Sequence, residues 1–384
     1  MASTPGPWRF WATTTATSKV PSSTSCCFRR PGSDGRTGRS LPSCPICSDT
    51  DQLVVEGVAV RIQCVVIVLA AAVCAGCAAE PEPSASTPDA VAPAPAFEFP
   101  PDTIVAERGG FIPEGVEYDT TNGRILTGSL SEGSVLQLHN DGRVTTVVSD
   151  PDLVSSIGIE VDEPRDRLLV ANSDRAVFDG STTGQAKLGV YNLTTGDRIA
   201  MVDLAAAIVD APADAAHFAN DVAVADDGIA YVTDTQLNVI YRVGAEYEAS
   251  LLYRFEDDGA GPNGIVHHPS GYLLVARGAA LWKVPLDDPG TAIEVALPEE
   301  VPGQDGMVWT PDGRLAIVSN SGNRVVALTS QDDWATAQLA GVATYETQAT
   351  TAAVVGDDIY VVHAHFADDA PPSVERVVFD EGPR

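Results

Sequence analysis

Residues 262–277 are PNGIVHHPSGYLLVAR and residues 304–320 are QDGMVWTPDGRLAIVSN. Each is a short apolar run, a turn and a second β-rich run. The same layout recurs as PEGVEYDTTNGRILTGS at 113–129 and ANDVAVADDGIAYVTD at 219–234, with weaker copies at 156–173 (SIGIEVDEPRDRLLVANS) and 350–365 (TTAAVVGDDIYVVHAH). The turns carry Asn122-Gly123, Asp227-Gly228, Ser270-Gly271 and Asp312-Gly313, pairs that accept the positive φ of tight hairpins. A third β-rich run follows, as in SVLQL, NVIYRV, ALWKV or RVVAL. The period, roughly forty-odd residues, is that of one propeller blade. One such meander leaves an apolar face and open edges, so the units must pack radially and close into a ring. The expectation is an all-β, six-bladed β-propeller of four-stranded blades over residues 97–384. Helical periodicity is confined to Val202–Ala216, an Ala-rich connection.

Aligning the units on their turns puts Glu114, Ile157, Asn220, Asn263, Asp305 and Thr350 in one column, at the start of the innermost strand. Equivalent positions of a propeller point at one level of its central channel, so these residues are expected to converge on the axis. Glu114, Asn220, Asn263 and Asp305 bring hard oxygen donors, suited to one divalent cation: calcium foremost, then magnesium, manganese or zinc. For any one of them alone, a turn-capping role at a strand start is the simpler reading. Recurrence at one register is what favours a shared site.

The ordered set Pro113-Glu114-Gly115, Asn220-Asp221, Pro262-Asn263-Gly264 and Asp305-Gly306 resembles the senescence marker protein/gluconolactonase (regucalcin-like) family. The likeness runs through nearly all of residues 97–384. It implies metal ligation by Glu114, Asn263 and Asp305, with Asn220 beside the metal at the substrate, and hydrolysis of a sugar lactone or related ester. A bound cation polarises a carbonyl and lowers the pKa of water, and Asp305 is the candidate catalytic proton acceptor. Sugar lactonases of the family carry an arginine two places before the residue matching Asn220. Here that position is Phe218, next to His217. These two make the expected substrate-binding rim less cationic and more apolar, which suits a less polar ester or lactone.

The first hundred residues follow different rules. They hold every cysteine: Cys26, Cys27, Cys44, Cys47, Cys64, Cys74 and Cys77. Residues 58–77, VAVRIQCVVIVLAAAVCAGC, place Arg61 before an apolar run and end in small residues, the pattern of a signal peptide. The close, Cys74-Ala75-Gly76-Cys77, resembles the lipobox of bacterial lipoproteins, which implies lipidation at Cys77. Residues 78–96 are Pro, Ala and Ser rich and form a tether. Residues 1–57 precede the signal and are expected to be disordered or non-native, with the true start near Val58 or Val60. These features predict an extracytoplasmic protein held to the bacterial cell membrane by its lipid alone.

The formal charge is −30 at pH 7 and arises after the signal region, which disfavours nucleic acid as a partner. No Gly-x-Ser-x-Gly elbow or phosphate-binding loop is present in residues 97–384. His363 and His365, two apart on an expected strand, share a face without a third ligand. The family resemblance implies a small-molecule lactone or ester as the partner. The rival expectation is a non-catalytic propeller that captures a ligand or partner around a structural cation. A strictosidine synthase-like or paraoxonase-like relative is a third reading, which calls for catalytic histidines near the channel.

Overall fold

The computed structural model describes residues 99–366 and 370–380; the upstream extension, signal region, Cys77 and the tether lie outside them. Six sheets, each built on four antiparallel strands, form the six blades. Their innermost strands are Val116–Asp119, Ser155–Asp162, His217–Val224, Ile265–His268, Gln304–Trp309 and Ala352–Val355. The ring closes with the two ends of the domain in one sheet. Thr103–Val105 is the outermost strand of blade six, pairing Ile104 with Val374, and the Arg376 guanidinium meets Asp102 at 2.7 Å.

Period-two alternation explains why the second strands read as continuous apolar runs. In Tyr272–Arg277, Leu273 and Val275 join a cluster shared with blade three, while Tyr272, Leu274 and Ala276 join one shared with blade five. Both faces of each blade are therefore interior, and successive residues serve opposite neighbours. Among the described residues, six apolar clusters each join two adjacent blades, and together they run round the whole ring.

Towards the axis side chains give way to backbone. A Cβ on Gly115 would sit 2.6 Å from the Ile157 carbonyl oxygen, one on Gly158 2.6 Å from that of Asn220, and one on Gly264 2.1 Å from that of Asp305. Gly306 is pressed in the same way against Thr351. The glycines after Glu114, Ile157, Asn263 and Asp305 are thus required by the approach of the next blade, rather than by a turn. Cross-blade bonds lock the same contacts: Thr350 Oγ1 donates to the Glu114 carbonyl at 2.7 Å, and Thr233 Oγ1 to that of Asn263 at 2.7 Å.

The sequence-based expectation differs from the structure in two places. The Ala-rich stretch forms only a 3-10 turn, Ala205–Ala207, because it follows directly on the outer strand Arg198–Asp203 and crosses to blade three. Blade three also gains a fifth strand, Gly184–Gln185, which comes from blade two's connection and lies parallel to His217–Phe218.

Replacing Gly264 by alanine drives a methyl group into the Asp305 carbonyl, where no flexible side chain can yield. Gly264→Ala is expected to cost about 2–4 kcal/mol in urea unfolding, whereas alanine at Gly290, whose Cβ would find nothing closer than 3.5 Å, should change the midpoint little.

Candidate functional site

The residues of the column occupy one mouth of the channel because of a local irregularity. Register shifts fall between Ser156 and Ile159, Ala219 and Val222, and Gln304 and Met307, so Ile157, Asn220 and Asp305 each sit in a β-bulge. A bulge turns a side chain out of the pleat and re-aims it. Glu114 and Asn263 stand just ahead of their strands. All six column residues line one cavity of about 510 Å³, together with Asn320, Gln348, Arg175, Phe178, Phe218 and His365 among others.

Its floor is polar and buried. Glu114, Asn220, Asn263 and Asp305 are 8%, 4%, 6% and 6% exposed. The Asn220 amide nitrogen is committed to Thr235 Oγ1 at 2.9 Å, which turns its Oδ1 the other way. That Oδ1 and Asp305 Oδ1 are both buried without a hydrogen-bond partner. Two orphaned acceptors in one cavity are costly unless something electron-poor fills the space between them. Asn320 was not anticipated from sequence. It stands in the turn just after the second strand of blade five rather than opening an inner one, donates to the Ala349 carbonyl at 2.9 Å, and pulls on the Asp305 carboxylate.

Burial dominates the electrostatics. It pushes Glu114 well above the usual carboxylate range, with repulsion from Asp305 and then Asp221 adding to the shift. Asp305 rises to about 8, again through burial, with Asn263 opposing, Asp221 raising and Asn320 opposing. Farther along the channel a second cavity of about 430 Å³ is bordered by Glu117, Glu160 and Asp221. Burial lifts Glu117 to about 8 and Asp221 to about 7, the latter despite bonds from the Val222 and Ile265 N–H groups. Glu160 is raised as well, by burial first and then by Glu117 and Asp221.

Among the described residues no group of three or more His, Cys, Asp or Glu side chains is arranged to hold a metal. At the mouth the charged donors are the two carboxylates Glu114 and Asp305, and the others are amides. Such a mixed carboxylate–amide set fits a hard cation with water completing its shell, and the orphaned oxygens of Asn220 and Asp305 are the observation that supports the fit.

The neighbouring positions divide. Phe218 is 4% exposed and lines the cavity. His217 is not among the lining residues; its Nδ1 pairs with Asp234 Oδ2 at 2.9 Å, and Asp234 also accepts the Phe218 N–H at 2.8 Å and the Tyr241 hydroxyl at 3.1 Å. The pair His363 and His365 parts company where the strand Asp358–His363 ends. His363 is buried with Nδ1 against the Gln348 carbonyl at 3.2 Å, while His365 takes φ 55° and reaches the cavity.

The fold and site define a six-bladed propeller with an acid–amide cluster at one channel mouth. Residues 112–365 match the family model for the SMP-30/gluconolactonase/LRE-like region, and the chain belongs to that family. It matches no curated relative. Among solved structures, the Malassezia sympodialis allergen Mala s 1 is similar at 19% identity and a TM-score of 0.62, over 73% of this chain and 97% of that one. Regucalcin from Agrobacterium tumefaciens, a calcium-binding protein, is similar at 18% identity and a TM-score of 0.53, over 74% and 95%. A putative gluconolactonase gives 16% identity and a TM-score of 0.50, over 72% and 93%. At these identities the likeness is one of fold.

The channel carboxylates set a pH response. A Glu117 held near 8 when folded, against 4.5 when exposed, keeps its proton in the folded chain and loses it on unfolding between those values. Stability therefore falls as pH rises from about 4.5 to about 8. In chelator, Glu117→Gln should flatten the decline of the melting temperature from pH 5 to 8 relative to the unsubstituted protein, and an unchanged slope would show that this carboxyl is ionised throughout.

Proposed function

We propose that this protein hydrolyses a lactone or related ester at the channel mouth, with one divalent cation, calcium first among candidates, held by Glu114, Asn220, Asn263 and Asp305. The observation that carries this is the pair of buried, unpartnered oxygens on Asn220 and Asp305 beside the Glu114 carboxyl in a cavity of small-molecule size. Family membership and the regucalcin-like fold point the same way. When bound, the cation supplies Lewis-acid polarisation of the ester carbonyl and acidifies water.

The chain's own groups take the remaining tasks. Asp305 is the proton acceptor: a carboxylate that gives one oxygen to a cation keeps a second for a proton. Asn263 and Asn320 oppose its protonation. Asn220, its nitrogen fixed by Thr235, offers only its oxygen to the cavity. Phe218 and Ile157 exclude water from the neighbouring wall. The signal-like and lipobox-like sequence at 58–77 supports a location outside the cytoplasm, with a tether through lipidated Cys77. The protein's partners are then the substrate and, through the lipid alone, the membrane.

Assayed against a panel of lactones and aryl esters, the protein should show turnover that chelator abolishes and calcium restores, and Asp305→Ala should lose it by about 10²–10⁴-fold. Folded, calcium-loaded protein that turns over nothing in the panel leaves a ligand-binding propeller as the function. Cys77→Ala should shift the protein from the membrane fraction to the soluble fraction on ultracentrifugation.

A further inference from the structure

The cavity has two chemically different sides. Blades four and five contribute Asn263, Asp305 and Asn320 and nothing apolar. Blades one to three contribute Ile112, Leu130, Ile157, Phe178 and Phe218, besides Glu114, Asn220 and Arg175, and blade six, next to blade one, adds Phe366 and Pro372 together with Thr350 and His365. Phe178 belongs to no blade strand. It comes from blade two's connection, in the 3-10 turn Arg175–Asp179, whose first N–H groups are capped by Asp174 through Ala176 N at 2.9 Å.

That connection is fastened to the next blade. Gly184 and Gln185 pair in parallel with His217 and Phe218, and His217 N donates to the Thr183 carbonyl at 2.9 Å. Gly184 has φ +72°, and a Cβ there would lie 2.1 Å from the His217 carbonyl oxygen, so only glycine permits the junction. Gln185 anchors the other end through Nε2 to Asn172 Oδ1 at 3.0 Å. The fastening sets the Phe178 ring edge-on to Phe218, with centroids 4.6 Å apart at 62°. Phe218 is fixed from behind by Asp234, while Phe178 remains 36% exposed. A strapped-down connection thus holds an aromatic ring at the cavity, beside the apolar side chains of Ile112, Leu130, Ile157 and Phe218 and with Arg175 in the same turn.

We propose, resting on the hydrolase reading above, that the substrates are lactones or esters carrying an alkyl or aryl substituent, and that Phe178 and Phe218 set this specificity. The carbonyl end lies at Glu114, Asn263 and Asp305, and the substituent lies along Phe178, Phe218, Leu130 and Ile112. A polyhydroxylated ring in this orientation leaves hydroxyls facing hydrocarbon, which is unfavourable for each unpaired group. A methylene placed there leaves water, and each is worth up to about fourfold in binding.

The test uses the full-length, calcium-loaded protein and the series γ-butyrolactone, γ-hexalactone, γ-octalactone and γ-decalactone, with D-glucono-δ-lactone and a carboxylate-bearing lactone as polar arms. In parallel, cyclopentanone and 2-hexylcyclopentanone, which have no ester to cleave, are titrated by calorimetry. The expected result is kcat/KM rising about two- to fourfold per methylene, tighter binding of the hexyl ketone, and both gradients flattened in Phe178→Ala. Phe218→Leu, its folding checked by its melting temperature, serves as the second variant. Turnover that is flat along the series, or best for the polar lactones, overturns the proposal while the hydrolase reading stands; preference for the carboxylate would assign the recognition to Arg175. Chain-dependent ketone binding without any turnover supports the apolar site and removes the hydrolase reading. Ketones that bind equally, or not at all, overturn the proposal.

Discussion

The close approach of backbone to backbone around the axis is the constraint on which the rest depends. Where innermost strands meet, Gly115, Gly158, Gly264 and Gly306 leave room for the Ile157, Asn220 and Asp305 carbonyls and for Thr351. A side chain cannot lie between neighbours at that radius, so it is turned into the channel or away from it. Bulges at Ile157, Asn220 and Asp305 do the turning, and the residue before each glycine ends up facing the mouth. Packing of the ring and construction of the site are thus one geometric solution. Close-packed interiors transmit such constraints because they have little slack.

The channel carries an electrostatic consequence. Glu114, Asp305, Asp221, Glu117 and Glu160 are all driven towards their neutral forms by burial, and Asp221 repels each of the other four. Such groups either keep protons or gain a positive partner, since isolated buried carboxylates are strongly unfavourable. The interblade apolar clusters, continuous round the ring, carry the stability that tolerates this strain.

Much of this was legible in the chain. The period gave the blades, and the column Glu114, Ile157, Asn220, Asn263, Asp305 and Thr350 converges on one cavity as expected. Asn320 escaped because it stands in the turn just after a second strand, Leu315–Ser319, outside the column on which the alignment depends. His217 stood next to Phe218 in sequence, yet only Phe218 faces the cavity, because alternation along a strand sends adjacent side chains to opposite faces. Phe178 carried no signal: its connection has no repeat, and its position depends on a parallel pairing with another blade.

The sequence by itself determined the architecture and the level of the site, because repeats with both faces apolar have no stable arrangement other than a closed ring, and equivalent positions in a ring must meet. The tertiary structure alone decided which of those side chains keep an oxygen unpartnered, how far burial moves their protons, and which wall of the cavity is apolar. Those properties depend on distances between segments far apart in the chain, such as Phe178 to Phe218 across two blades, and no local pattern encodes them.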